Sequence, residues 1–327
     1  MKTIERRSFI KRSLALGALA TVPISLKAFE GIFDNGPMRI GIVADVHQDI
    51  IHDGVERLRF FMEDMQNRQP DFIIQLGDFA LPRKRNQPLL DVWNEFKGSK
   101  YHVLGNHDMH DLGFTREQTM KWWQMDKRYY AFDKGGLHFI VLDGNDKNPE
   151  PWSGYNRYIG PEQKEWLKND LENTRKPTVV FCHQSMEAEG GIANGMEIRA
   201  VFEEARISEK QSKVIACFSG HHHTDYVKNI NNIPYIQINS MSYKWVGAKY
   251  EYQRFPPHIE ATYPNLSKTC PYRNPLYTML TLDIEKQSLH LEGRETQFIP
   301  PTPHELKIPN AAVMHSIITE QNLKLSL

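Results

Sequence analysis

The sequence predicts an α/β fold, and three observations predict it. Short apolar runs of strand length recur at 39–44, 71–76, 101–104, 178–182 and 213–218. Between the first two, Val55, Leu58, Phe61, Met62 and Met65 recur at helical spacing. Strand, amphipathic helix and strand in that succession read as a parallel βαβ unit. Two further pairs of runs, 129–132 with 137–142 and 276–284 with 288–294, read as antiparallel hairpins, the first turned at Asp133–Gly136.

The 327 residues suffice for one large domain or two small ones. Lys and Arg together number 40, as do Asp and Glu, so the formal net charge is zero. Bulk electrostatics therefore give no reason to expect nucleic acid or an anionic membrane as a partner. Histidine stands out at 14, several at the ends of apolar runs, which points to metal or proton chemistry. The three cysteines have no zinc or haem spacing; Cys182 and Cys217 lie inside apolar runs and are expected to be buried thiols.

Taken in order, residues 1–28 read as a targeting segment. Arg6-Arg7-Ser8-Phe9-Ile10-Lys11 resembles the twin-arginine signal of bacterial export, followed by an apolar stretch from Leu14 to Leu26 that Pro23 interrupts. Export through the twin-arginine machinery to the periplasm is the expectation, with no membrane span in the mature chain. Residues 29–37 form a linker. After the first strand, a helix is expected from Gly54 to about Arg68, stopped by Pro70, and then the strand 71–76. Residues 79–88 form a basic loop, a helix around 88–96 leads to the strand at 101–104, and residues 111–127, with Trp122-Trp123, read as helix packing. The first hairpin precedes a long loop at 144–158. Pro161 to about Asn173 is a helix with proline in its first turn. Strands at 178–182, 213–218 and 233–239 follow, with a helix near 196–207 between the first two. Residues 241–275 read as irregular, and the second hairpin closes the domain at about 299. Residues 300–327 are expected to be an appended tail.

Five of the strands end in ligand-type residues. Asp45 and His47 follow the first, Asp78 the second, Asn106, His107 and Asp108 the third, His183 the fourth, and His221, His222 and His223 the fifth. Loops at the carboxyl ends of strands are where α/β folds place their sites. Seven side chains, Asp45, His47, Asp78, Asn106, His183, His221 and His223, exceed what one ion takes but suffice for two if a carboxylate bridges. Asp78 is the expected bridge. Carboxylates mixed with imidazoles suit divalent Mn, Fe or Zn. Such a pair clamps a phosphoryl group and holds a water as hydroxide near neutral pH.

Asp-x-His, Gly-Asp, Gly-Asn-His-Asp, His and Gly-His-x-His, in that order from about residue 38 to 239, resemble the calcineurin-like metallophosphoesterase superfamily. The resemblance implies a four-layer α/β/β/α sandwich of two mixed sheets flanked by helices, spanning 38–299. It implies one metal on Asp45, His47, Asp78 and His223, and a second on Asp78, Asn106, His183 and His221. It makes His107 the general acid, with Asp108 orienting it. The implied substrate is a small phosphate ester, attacked by a hydroxide held between the ions. Phosphodiesterase or nucleotide pyrophosphatase action, and a scaffold without catalysis, are the alternatives. Purple acid phosphatases carry a tyrosine three residues after the bridging aspartate; here Leu81 stands there, which argues against a ferric–tyrosinate site. Tyr155, Arg157, Tyr243, Lys244 and Trp245 lie in loops near the expected site and could stack a base or grip a phosphate. His222 is expected to turn away from the metals or toward the substrate. His52, His102, His110 and His138 are expected to be surface or satisfied core histidines.

Overall fold

A computed structural model of the protein describes residues 36–109, 113–150, 154–208 and 211–326. The expected export signal, all but the end of the linker, and His110 lie outside the described residues. In chain order the strands are β1 (Met38–Val43), β2 (Phe72–Gln75), β3 (Ser99–His102), β4 (Tyr130–Lys134), β5 (Leu137–Leu142), β6 (Thr178–Cys182), β7 (Arg206–Ser208), β8 (Gln211–Ser212) and β9 (Val214–Ser219). They continue as β10 (Tyr226–Ile230), β11 (Ile233–Gln237), β12 (Tyr243–Trp245), β13 (Thr269–Pro271), β14 (Thr278–Asp283), β15 (Ser288–Leu291), β16 (Arg294–Glu295), β17 (Ile317–Ile318) and β18 (Gln321–Lys324). The helices are α1 (Gly54–Arg68), α2 (Gln87–Asn94), α3 (Arg116–Trp123), α4 (Pro161–Asn173), α5 (Gly195–Glu204) and α6 (Pro257–Thr262).

Two mixed six-stranded sheets carry the fold, ordered β18-β15-β14-β1-β2-β3 and β10-β11-β9-β6-β5-β4. Within the first, β1, β2 and β3 are parallel; within the second, β5, β6, β9 and β11 are parallel. Strand alternation builds the layers. In β1, Ile40 and Ile42 face the core between the sheets, where they join Phe72, Ile74, Phe139, Phe181 and Phe218. Val43 and Ile73 point the other way, onto Leu58, Phe61, Met62 and Met65 of α1 and Trp93 of α2. Ile140 and Val180 face outward from the second sheet onto Leu167 and Leu171 of α4 and Phe202 of α5. Each fully buried side chain of this kind contributes about 1.5–3 kcal/mol, so the central and outer layers are comparable sources of stability. Gly41 is the one residue of β1 without a side chain, and a Cβ there would overlap Met65 Sδ, so glycine lets α1 lie against the sheet. The layers are helix, sheet, sheet and helix, as the resemblance implies.

Three differences from the sequence reading have physical reasons. Residues 300–327 are not an appendage. Leu323 pairs with Leu289 as β18 adds an edge to the first sheet, and Ile318 and Leu325 are buried in the central core. Second, β10 forms where no strand is predicted, because its half-exposed residues carry little apolar signal. Third, the segment 241–275 is partly ordered: β12 pairs with β13, and Leu266 packs with Ile51 and Tyr243 in a small satellite core. Cys182 and Cys217 are buried thiols as expected, and Cys270 is another. Among the described residues, no helix is long and apolar enough to cross a membrane.

Candidate metal centre

The carboxyl ends of β1, β2, β3, β6 and β9 converge because parallel pairing aims them the same way. Neighbouring loops then tie to one another. Asp45 N–H donates to Gly77 O at 3.1 Å and His47 N–H to Asp78 O at 2.9 Å, so the first two loops run side by side. Gly220 N–H donates to His183 O at 3.0 Å, which joins the last two. Across the sheets, both Asp45 carboxylate oxygens accept His221 N–H, at 3.1 and 2.9 Å.

Five of the seven ligand-type residues have left-handed backbone: Asp45 (φ 53°), His47 (φ 53°), Asp78 (φ 52°), His221 (φ 77°) and His223 (φ 46°). Such a conformation costs about 1–2 kcal/mol for a residue with a side chain. Five in one cluster mark a place where side-chain direction has overridden backbone preference. Gly77 has φ 96°, and a Cβ there would sit 2.5 Å from His183 Nδ1 and 2.9 Å from Gly105 Cα. Glycine at 77 therefore lets the β6 loop close on the β2 loop.

The side chains form two groups. Asp45, His47 and His223 are one; Asp78, His183 and His221 are the other. Asp78 Oδ2 lies 3.4 Å from His47 Nε2 and 3.1 Å from His183 Nε2, so a single oxygen faces both groups. In the first group, His223 Nε2 is 3.2 Å from Asp45 Oδ1 and 3.1 Å from His47 Nε2. Two rings are fixed from behind, His183 Nδ1 by Leu76 O at 2.7 Å and His223 Nδ1 by Tyr243 O at 3.0 Å. Donation from Nδ1 leaves Nε2 as a lone pair aimed inward, the arrangement that a metal-ligating imidazole needs. Asn106 is buried with both side-chain amide atoms unpartnered, and His183 Nε2 accepts no hydrogen bond. Buried polar atoms are rarely left so.

The electrostatics agree. Burial alone would raise the Asp78 carboxyl, but the surrounding His183, His107 and His47 hold it well below the usual carboxylate range. Asp45 is likewise lowered, chiefly by His223 against the penalty of burial. Burial opposes charge on His183, yet the Asp78 carboxylate prevails and holds this imidazole up at about 9. Burial pushes His47 down to about 3 and His221 well below its ordinary value. The Asp45 and Asp78 carboxylates stay ionised although buried, and buried charges are paired or coordinate metals. The donor set and the orphaned Asn106 therefore fit two divalent ions.

Two expected roles change. Asp108 does not turn its carboxylate to His107. Its Oδ1 accepts Phe79 N–H (2.7 Å) and Ala80 N–H (3.0 Å), and its Oδ2 accepts Asp78 N–H (2.7 Å) and Gly105 N–H (2.8 Å). Four main-chain donors fill both oxygens, so Asp108 clamps the Asp78 loop to the Gly-Asn-His-Asp loop. Arg157 is not on the cavity wall: its Nη1 donates to Gly191 O at 3.1 Å, and its guanidinium lies 5.9 Å from the Tyr155 ring.

A cavity of about 960 Å³ opens over both groups, lined on the metal side by His47, Asp78, His107, His221 and His223. Of the residues expected to touch substrate, Tyr155, His222, Tyr243, Lys244 and Trp245 line it. Tyr155 and Trp245 are 42% and 43% exposed, so both rings are available to a ligand. The Tyr155 hydroxyl lies 3.0 Å from His221 Nε2. His222 turns its Nε2 to Ser185 Oγ, at 2.8 Å. Lys244 Nζ donates to His222 O and His223 O, at 3.0 and 2.9 Å, and burial lowers its pKa to about 8. Tyr243 is buried, with its ring 5.2 Å from His47 and 4.8 Å from His223.

The sequence reading missed Ser240 and Ser242, whose hydroxyls donate to Asp45 O and Val46 O at 2.8 Å each and brace the first loop. Their position just after β11, another parallel strand, is the signal that could have found them. It also missed Arg83 and Arg85, which line the cavity from the loop read only as basic.

Residues 38–225 match the pattern of the calcineurin-like phosphoesterase family. A manganese-dependent ADP-ribose/CDP-alcohol diphosphatase from Oryza sativa is 26% identical over 249 residues, covering 56% of this chain and 76% of the relative. A Pseudoalteromonas protein named "Probable cyclic nucleotide phosphodiesterase" is 22% identical over 79% of this chain and 93% of its own. Among solved structures, a dimetal phosphatase from Danio rerio superposes with a TM-score of 0.58 at 14% identity, over 81% of this chain and 99% of that one. The chain belongs to the calcineurin-like phosphoesterase family and is a metal-dependent phosphoric ester hydrolase.

Proposed function

We propose that this protein is an exported dinuclear-metal phosphoesterase that cleaves a phosphodiester or diphosphate bond in a substrate of nucleotide size. The observation that carries the reading is Asp78 Oδ2, placed between His47 Nε2 and His183 Nε2 at 3.4 and 3.1 Å. One ion would be held by Asp45, His47, Asp78 and His223, the other by Asp78, Asn106, His183 and His221. Bound there, two divalent ions supply Lewis acidity to the phosphoryl oxygens and lower the pKa of the attacking water. Manganese, iron and zinc all suit the donors, and the manganese dependence named for the Oryza relative favours the first.

His107 lines the same cavity, its ring 5.4 Å from that of His47 and 6.2 Å from that of Tyr155. From there it gives its proton to the leaving oxygen. Asp108 contributes by fixing the two loops that carry Asp78 and His107. Tyr155, His222 and Trp245 contact the organic part of the substrate, and Lys244 holds the His222–His223 main chain from the cavity wall. A cavity of about 960 Å³ exceeds what a small monoester fills. The names of the Oryza and Pseudoalteromonas relatives also favour cleavage between two esterified groups, as in ADP-ribose or a cyclic nucleotide. Export rests on Arg6-Arg7-Ser8-Phe9-Ile10-Lys11 and implies a periplasmic location and the twin-arginine machinery as partner.

The test is reconstitution with Mn, Fe or Zn, metal analysis, and hydrolysis of p-nitrophenyl phosphate and bis-p-nitrophenyl phosphate in parallel. About two ions per chain and preference for the diester are expected, with neither ion retained in Asp78→Ala. Preference for the monoester returns the reading to a small-ester phosphatase, and full metal content in Asp78→Ala removes the bridge. For export, Arg6→Lys with Arg7→Lys should leave the protein in the cytoplasmic fraction; unchanged export would remove that part of the reading.

A further inference from the structure

Arg83 and Arg85 stand on the wall of the cavity that holds the candidate metal ligands, on the loop that follows Asp78. That loop pairs with the one carrying His47 through Gln48 N–H to Phe79 O, at 3.2 Å. The two arginines thus lie at the outer end of the same pair of loops whose inner end carries His47 and Asp78. One carboxylate serves both guanidiniums. Asp49 Oδ1 is 3.2 Å from Arg85 Nη2 and 3.6 Å from Arg83 Nη1. Its other oxygen is taken by Leu81 N–H at 2.8 Å and Asn86 Nδ2 at 2.9 Å. Two full positive charges against one negative leave an excess of one at the cavity wall.

Among the described residues, Arg85 Nη2 to Asp49 is the only hydrogen bond that the two guanidiniums donate. Their planes are held instead by rings, Arg83 over Phe114 at 5.7 Å and Arg85 over Tyr263 at 5.6 Å. Side chains positioned in this way, with most N–H donors still open, are suited to take an oxyanion through paired hydrogen bonds. The Lys244 ammonium, by contrast, already donates to two carbonyls.

We infer that Arg83 and Arg85 form a subsite for a second phosphate of the substrate, one that is not cleaved, so that the substrate class is a diphosphate diester. This rests on the phosphoesterase reading given above and adds to it the charge the enzyme selects for. Asp49 sets the selectivity: it cancels one of the two charges, so one phosphate anion neutralises the subsite.

The test compares two substrates on the metal-loaded enzyme: UDP-glucose, with two phosphates, and p-nitrophenyl thymidine 5′-monophosphate, with one. Arg85→Gln should lower kcat/KM on UDP-glucose roughly ten- to a hundredfold, the range for a charge-assisted hydrogen bond, and change the one-phosphate substrate less than threefold. Arg83→Gln should act in the same direction, and Arg85→Lys should recover part of the loss, because charge remains without the fork. Equal loss on both substrates, or no loss on either, overturns the subsite. A wild-type enzyme that carries two ions and hydrolyses neither substrate counts against the phosphoesterase reading instead. The subsite is then judged by calorimetric titration of ADP into the metal-free protein, where Arg85→Gln should weaken binding about tenfold, and unchanged affinity overturns it. Both arginines are partly exposed, with side chains 24% and 41% accessible, so neither substitution threatens folding.

Discussion

Replacing Asp108 by asparagine separates two roles that this carboxylate could have beside His107. In the structure, each Asp108 oxygen accepts two main-chain N–H groups at 2.7–3.0 Å, and the residue is fully buried. Asparagine keeps the shape but turns one oxygen into an NH₂. Whichever oxygen is replaced, two N–H groups then face a donor and lose their acceptor. A hydrogen bond to a charged group contributes about 1.5–3 kcal/mol, so two lost bonds cost about 3–6 kcal/mol. Removing a negative charge beside Asp78 returns part of this, since the Asp78 charge and burial together push the Asp108 carboxyl up. A net loss of about 2–5 kcal/mol is expected, a large share of the 5–15 kcal/mol that holds a domain folded. Chemical denaturation of metal-free protein measures it, and metal analysis should show reduced occupancy, because Asp78 sits on the loop that loosens. If Asp108→Asn lies within about 1 kcal/mol of wild type, keeps both ions and only turns over more slowly, Asp108 acts through His107 and the clamp is the wrong account.

Three other outcomes are expected. His107→Ala should keep both ions and lose roughly 10²–10⁴ in kcat, most on substrates with poor leaving groups; metal analysis showing one ion lost would make His107 a ligand. Tyr155→Phe removes the hydroxyl 3.0 Å from Nε2 of His221, one of the candidate ligands. The ion at that site should then bind about 2- to 10-fold more tightly, as a neutral hydrogen bond of about 0.5–1.5 kcal/mol no longer competes; calorimetric titration giving unchanged or weaker binding refutes this. His138 sits between Asp133 and Asp170, its ring nitrogens 2.7 Å from each carboxylate, and burial only partly offsets their raising of its pKa. A raised folded-state pKa means that the stabilisation is fully present below the unfolded value of about 6.5 and is lost as pH rises through the folded value. His138→Gln should therefore be less stable than wild type below that pH, with the gap closing at alkaline pH; denaturation curves with a constant gap across pH would disprove the linkage.

The sequence by itself determined the candidate ligand set and the strands that carry it. Asp45, His47, Asp78, Asn106, His183, His221 and His223 each follow an apolar run that becomes a parallel strand, and those runs are local signals. Strand ends sit beside their own strands in the chain, so the pattern needs no tertiary information to be read. The α1 stripe was legible for the same reason, because helical spacing is also local.

What holds these residues in place was decided only by the tertiary structure. Asp108 bonds to N–H groups up to 30 residues away, and Ser240 braces Asp45 across 195 residues. Residues 317–325 close the first sheet and its core, although the four residues of β18, two half-exposed and two exposed, look like tail. Arg83 and Arg85 reach the cavity and Arg157 does not, a difference of fold that residue type leaves open. Each of these depends on a partner distant in sequence, and a hydrogen bond or packed edge between distant segments leaves no periodicity in either one.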